Sequence, residues 1–133
     1  MVPLTEDLKY VLLIQSTRRK GWVLPKGGWE TDEECTEAAE REAWEEAGII
    51  IRIDYDLGEI CESRPPKPSK DKAKDNCKAL YRFFQATVIR EEADWPERHK
   101  RERCWMTYKQ ARDALSTRPE LLDALERSMM MRH

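Results

Sequence analysis

No apolar run in this 133-residue chain approaches the roughly 20 residues that a helix needs to cross a bilayer, so a membrane is not an expected partner. The opening MVPLTEDLKY has no basic stretch leading into an apolar one. A secretory signal is therefore not expected in the chain as given, and secretion stays open only where a signal was removed beforehand. The four cysteines, Cys35, Cys61, Cys77 and Cys104, form no CxxC pair and have no neighbouring histidine pair. That argues against a zinc site and against a disulfide framework, leaving reduced thiols in a cytosol-like compartment as the expectation. There is no internal repeat. What the chain has is charge: 38% Asp, Glu, Lys and Arg beside 40% hydrophobic residues, with a net charge of −2. That is the composition of a soluble globular protein, and the length fits a single domain over residues 1–133 with its own core.

The charge is unevenly spread. From Glu30 to Glu46 nine acids stand against Arg41 alone, a local charge of −8; the whole chain carries −2, so the remainder carries about +6. An acidic patch that collects metal, beside basic segments that collect anions, is what a polyphosphate site requires. Within the acidic stretch Glu42, Glu45 and Glu46 fall at i, i+3 and i+4, so a helix projects all three from one patch. Like charges at i,i+4 cost an isolated helix roughly 0.2–0.5 kcal/mol per pair, a cost that a bound cation offsets. Carboxylate oxygens are hard ligands suited to Mg²⁺, with Mn²⁺ as a substitute, and these ions in turn grip phosphate oxygens. The competing reading of the three glutamates is a solvated helix face.

Residues 9–15 (KYVLLIQ) read as a buried strand and residues 22–24 as a short one halted by Pro25, followed by a turn through Lys26, Gly27 and Gly28. Thr31 and Glu34 have capping-box spacing, which starts a helix near Asp32, and Gly48 ends it. Residues 49–53 and 57–61 read as two strands and 79–89 as a longer one. Between them residues 63–76, with three prolines, four lysines and no large apolar side chain, read as a long exposed loop. A short strand at 104–106, a helix capped by Thr107 and Gln110, and a last helix opened by Thr117 and Glu120 complete the chain. The last helix is expected to bury Leu121, Leu122, Leu125 and Met129.

From Gly27 the chain runs glycine, five residues, Glu33, seven residues, then Arg41-Glu42-Ala43-Trp44-Glu45-Glu46-Ala47-Gly48-Ile49. This resembles the Nudix box at every fixed position, with Ala43 smaller than the aliphatic residue commoner there. Seven polar or glycine positions at fixed offsets over 23 residues make a specific signal. The resemblance implies an α/β fold, the Nudix-type α/β/α sandwich with a mixed β-sheet, and Mg²⁺-dependent hydrolysis of phosphoanhydrides. It implies Glu42 and Glu46 as metal ligands, aided by the backbone carbonyl of Gly27, and Glu45 as general base or second metal ligand. Arg41 is expected to orient these carboxylates through a bidentate salt bridge. Glu33 either approaches the metal shell or stabilises the helix N-terminus, and Trp44 is expected at an exposed or partner-facing position.

Specificity lies outside the box. Lys26 stands at the entrance to the metal site, the long loop offers Lys67, Lys70, Lys72, Lys74 and Lys78, and a third basic group holds Arg101 and Arg103. Over most of its length the chain resembles the diphosphoinositol polyphosphate phosphohydrolase branch, especially fungal members that also cleave diadenosine polyphosphates. The residues that carry this are 21–30 (GWVLPKGGWE), 43–48 (AWEEAG), 94–103 (DWPERHKRER) and 118–125 (RPELLDAL). By that resemblance Ser16, Thr17, Arg18 and Arg101 contact substrate phosphates. Members of the branch normally carry a further N-terminal strand preceded by clamping basic residues. Here Met1-Val2-Pro3 begins almost at the following strand, so part of that clamp is expected to be missing or to lie outside the sequence given.

The expected activity is removal of a β-phosphate from diphosphoinositol polyphosphates, with diadenosine polyphosphates as secondary substrates. One competing reading is a nucleotide-type hydrolase acting on dinucleotides, nucleotide-sugars or mRNA caps, which needs an aromatic slot; Trp29, Trp95 and Tyr81 are the candidates. Another is a non-catalytic inositol phosphate binding module. The expected partner is a small-molecule polyphosphate rather than nucleic acid, the expected state a monomer, and the expected compartment the cytoplasm, with the nucleus as an addition.

Overall fold

Four successive residues, Val11 to Ile14, are wholly buried, so both faces of their strand are covered. Such a strand lies in the middle of a sheet between two layers. The computed structural model describes residues 1–18, 20–26, 34–63 and 77–132, with residues 63 and 77–79 in backbone only. Its elements in order are β1 (Val2–Leu4), β2 (Val11–Gln15), β3 (Trp22–Val23), α1 (Cys35–Glu42), a π-helical turn (Ala43–Ala47), β4 (Ile49–Ser63), β5 (Cys77–Glu91), β6 (Arg103–Met106), α2 (Tyr108–Ala114) and α3 (Pro119–Arg127).

The strands form one six-stranded sheet in the order β3-β2-β1-β5-β4, with β6 also paired to β2. β1 runs parallel to β5, with Val2 opposite Gln85, and every other pairing is antiparallel. The sheet is therefore mixed, as expected, and the domain belongs to the α/β class. Leu4, Leu12, Ile14, Ile49, Phe83, Leu115, Leu121 and Leu125 are fully buried side chains of one core. Each contributes roughly 1.5–3 kcal/mol by leaving water. Against the sheet, α1 and the π-turn bury only Ala38, Ala39, Ala43 and Ala47 among their apolar side chains. Small residues let this helix lie close, which is why the smaller Ala43 fits the position where the box usually carries a larger aliphatic. Among the described residues, no helix is long and apolar enough to cross a membrane.

Several sequence expectations need correction. The short strand β1 has no pattern of its own, and its structure comes from pairing with β5 about 80 residues away. The two strands expected at 49–53 and 57–61 are one strand, β4, bent by register irregularities against β5, including those between Ile53 and Tyr55 and between Asp56 and Gly58. Bulges interrupt the apolar alternation without ending the ladder. Thr117 does not open α3; Arg118 is its N-cap and Pro119 takes the first turn, where a missing N–H costs nothing. Met129 lies beyond that helix and is exposed, while Met130 is buried. The Thr107–Gln110 capping box forms with both of its hydrogen bonds. Thr31 lies outside the described residues, as do residues 64–76 of the expected loop, and Glu34, the N-cap of α1, makes no side-chain capping bond. Cys35 and Cys104 are free thiols, but Cys61 is disulfide-bonded, against the expectation of reduced thiols throughout. Proximity in the fold, which cysteine spacing along the chain does not reveal, decides such a bond.

Candidate active site

The acidic helix does not end as a regular α-helix. Its final residues, Ala43–Ala47, wind as a π-turn that stops at Gly48, whose φ of 66° and ψ of 36° lie in the left-handed region. Such widened turns recur at functional sites because they re-aim side chains. Here the turn carries Glu45 and Glu46, with Glu42 one residue before it. Glu42 is buried at 7% exposure, while Glu45 and Glu46 are half-buried. The glutamates thus sit at one helix end, but not as the solvated face that charge alone would favour.

Glu46 faces the most constrained surroundings. Its Oε1 accepts the backbone N–H of Lys26 at 3.2 Å and lies 4.0 Å from Nη1 of Arg101. Burial pushes its pKa up to about 7; the Lys26 hydrogen bond and Arg101 oppose that rise, and Glu97 adds to it. A carboxylate displaced in this way is one whose charge the protein alone does not balance. Arg41 approaches Glu45 from the preceding turn, one nitrogen reaching Oε1 at 3.2 Å and Oε2 at 3.4 Å. Arg41 thus meets Glu45, one of the carboxylates it was expected to orient.

Arg101 is 10% exposed and ties three elements together. Its guanidinium pairs with Glu97 at 3.0 Å, reaches Thr17 Oγ1 at 3.4 Å and faces Glu46, while its buried Nε has no partner among the described residues. Ser16 Oγ accepts the backbone N–H of Arg18, whose side chain is exposed, and lies 3.5 Å from Nη2 of Arg118. The structure therefore brings together Ser16, Thr17, Arg101 and Glu46, drawn from three separated segments. Lys26 contributes mainly its backbone: its ammonium group pairs with Glu62 at 3.5 Å and lies 4.2 Å from the Tyr81 ring centroid. Two residues here escaped the sequence reading. Glu97 stood out from no motif, being one acid in a basic segment, and Arg118 lay in a stretch noted for its resemblance and not for its charge.

Arg103 does something different from what was expected of a substrate contact. Its guanidinium donates to the carbonyls of Ala47 at 2.8 Å, Gly48 at 3.1 Å and Glu92 at 2.7 Å, and stacks 4.2 Å from the Trp95 ring centroid. Its Nη1 is spent on carbonyls at the end of the acidic helix and its Nη2 on Glu92, while its Nε lies 3.6 Å from Oε1 of Glu91. Gly27, Trp29, Glu33, Lys67, Lys70, Lys72 and Lys74 lie outside the described residues, and the side chain of Lys78 is not described.

Three closely spaced carboxylates, two of them drawn in from solvent, are chemically suited to a hard divalent cation. Among the described residues, no set of three or more ligands already converges to hold one. Glu42, Glu45 and Glu46 would supply the carboxylates, and the other ligands would come from backbone, water or substrate, as Mg²⁺ commonly takes them.

The NUDIX domain family model matches residues 1–127. The chain belongs to the Nudix family. Over 104 residues it is 45% identical to "Nudix hydrolase 12, mitochondrial" of Arabidopsis thaliana, covering 76% of this chain and 49% of that protein. It is 43% identical over 111 residues to "Nudix hydrolase 13, mitochondrial" of the same organism, covering 80% and 53%. A shorter similarity, 41% over 58 residues, links 43% of the chain to 35% of human diphosphoinositol polyphosphate phosphohydrolase 3-alpha. This Nudix domain spans about half the length of the plant relatives it matches. Its fold superposes on a NUDIX hydrolase from Nitrosomonas europaea with a TM-score of 0.74 at 19% identity, covering 95% of this chain and 82% of the other. That likeness bears out the Nudix-type fold.

Proposed function

We propose that this domain hydrolyses a phosphoanhydride bond in a densely anionic small molecule, and that its substrate is a diphosphoinositol polyphosphate losing its β-phosphate. Diadenosine polyphosphates are secondary substrates. The observation that carries this reading is the approach of Arg101, braced on Thr17 and Glu97, to the carboxylate of Glu46 at the acidic helix end. An anion-attracting group stands beside a cation-attracting one, as a metal-bound phosphate requires.

Nudix hydrolases generally use a divalent cation such as Mg²⁺; when bound, it neutralises phosphate charge and lowers the pKa of coordinated water. Glu42 and Glu46 would hold it, with Gly27 as the further ligand suggested by the box. Glu45, kept in orientation by Arg41, takes the proton from the attacking water or acts as a second metal ligand. Arg101 draws the non-transferred phosphates towards Ser16 and Thr17, with Arg18 exposed beside them and Arg118 near Ser16. Lys26 presents its backbone N–H to Glu46 and holds that carboxylate in place. The similarity to a human diphosphoinositol polyphosphate phosphohydrolase supports the substrate class over the matched 58 residues.

Among the described candidates, the aromatic slot needed by a nucleotide-type enzyme finds little support, Trp29 lying outside them. Trp95 is covered by Arg103 and packed on Gly48, and one face of Tyr81 is taken by Lys26. A binding module without catalysis would have no use for three intact glutamates. The deciding experiment is a substrate panel in Mg²⁺ or Mn²⁺, with products identified by phosphorus NMR. Diphosphoinositol pentakisphosphate should be turned over fastest with release of orthophosphate, diadenosine polyphosphates more slowly, and capped RNA and NADH hardly at all. Turnover confined to the nucleotide compounds would overturn the substrate assignment.

A further inference from the structure

Among the described residues, the backbone at the end of the acidic helix is held from outside by the chain that runs from β5 into β6. In a helix the last carbonyls have no partner within the helix itself, and buried carbonyls need one. Here each of three is supplied by the segment joining β5 to β6 or by Arg103, the first residue of β6. The backbone N–H of Glu97 donates to the carbonyl of Glu45 at 3.1 Å, that of Glu92 donates to Gly48 at 2.8 Å, and Arg103 donates to both Ala47 and Gly48. Trp95 completes the contact: a Cβ at residue 48 would lie 2.6 Å from its ring, so ring and glycine backbone are packed face to face with no space between them. Arg103 in turn covers that ring. The same loop carries Arg101 and Glu97 to Glu46.

We infer that the Trp95–Arg103 pair is a latch that sets the position of the π-turn, and that Arg103 is a positioning residue for Glu45 and Glu46. The inference rests on the metal-binding reading of those glutamates. Arg103 touches neither carboxylate. It acts through the carbonyls of the residues that follow them, where a planar fork of donors holds several oxygens at once and an ammonium group does not. Groups that orient metal ligands from behind typically change metal affinity by 10–100-fold when removed. The latch also couples two functions in one piece of chain, because a loop seated on the helix end brings Arg101 into register with Glu46.

The test is Mn²⁺ binding to substrate-free protein, followed by the electron paramagnetic resonance of free Mn²⁺, in wild type, R103K, W95F, E46Q and R127A. Arg127 is the structural control: its guanidinium likewise bonds backbone carbonyls, those of Leu57 and Glu59, and joins α3 to β4 instead of holding the acidic helix. The expected result is that R103K weakens Mn²⁺ binding roughly 10-fold or more. The Mg²⁺ concentration needed for half-maximal turnover should rise in parallel, while KM for substrate at saturating metal changes little. W95F should fall between R103K and wild type, and R127A should lose thermal stability with metal affinity unchanged. Wild-type Mn²⁺ affinity in R103K and W95F would overturn the latch while leaving the metal site standing. Absence of binding in wild type, or full binding in E46Q, would overturn the metal reading itself and the latch with it. If R103K does not fold, W95F decides on the same criterion.

Discussion

The β4–β5 ribbon and the end of the acidic helix both carry many charges, and they treat them in opposite ways. On the ribbon, Arg82 lies 2.7 Å from Asp56 and Arg52 lies 2.8 Å from Asp54, each pair matched and with at least one partner open to water. Such pairs are worth roughly 0–1 kcal/mol. At the helix end, Glu42 is buried, the Glu46 carboxyl is pushed up to about 7, and its nearest described guanidinium stands 4.0 Å away. The ribbon pairs are matched and wet, whereas burial holds the Glu46 carboxylate out of water, the kind of perturbed group that the proposed metal site would use.

The sharpest way to break this comparison is to neutralise one charge in each region. Replacing Glu45 or Glu46 with Gln should lower turnover by roughly 10²–10⁴-fold, measured at saturating Mg²⁺, with the fold retained by circular dichroism. Full activity in both variants would refute the site. Second in size is the latch glycine: G48A places a side chain at a φ of 66° and against the Trp95 ring. Left-handed backbone and overpacking together should cost roughly 2–4 kcal/mol in urea unfolding. Pairing G48A with W95L should return only the packing part.

The third outcome is a pH dependence. The folded pKa of Glu46, about 7, lies above its ordinary value of 4.5, so between those values the folded state binds more protons than the unfolded one. Its contribution is favourable below about pH 4.5 and is lost as pH rises towards 7, by at most about 3 kcal/mol. In chelator, this group should make thermal stability fall over that window; E46Q should remove the fall, and excess Mg²⁺ should offset it near neutrality. A fall of equal size in E46Q would assign it to other groups. Fourth, R101A should raise KM for diphosphoinositol pentakisphosphate by about 10-fold, as loss of a charge-assisted phosphate contact does, and should affect a diadenosine polyphosphate less. Equal effects on the two would count against its role in specificity. The smallest change is expected on the ribbon, where D56N should shift stability by no more than about 1 kcal/mol and leave kinetics untouched.

How far this was readable from the sequence depends on the range of the interactions. The acidic helix, its Gly48 terminus and the Thr107–Gln110 cap depend on residues within a few positions of one another, and the pattern shows them directly. The family, and with it the fold, follows from the box for the same reason. Strand β1 and the seat of Arg103 depend on partners more than 50 residues distant, which no local pattern reveals. Arg101 and Arg103 are chemically alike and two positions apart, yet one faces Glu46 while the other spends both terminal nitrogens on backbone carbonyls and turns its Nε to Glu91. Only the path of the loop separates them. The π-turn likewise leaves no mark, since AWEEA reads as ordinary α-helix.

The most direct measurement is a crystal structure of the protein soaked in Mn²⁺, with data collected at the manganese absorption edge. A peak of anomalous density bonded at about 2.1 Å to carboxylate oxygens of Glu42 and Glu46 is the expected result. A well-ordered ion bound elsewhere, with both glutamates carrying only water, would contradict it.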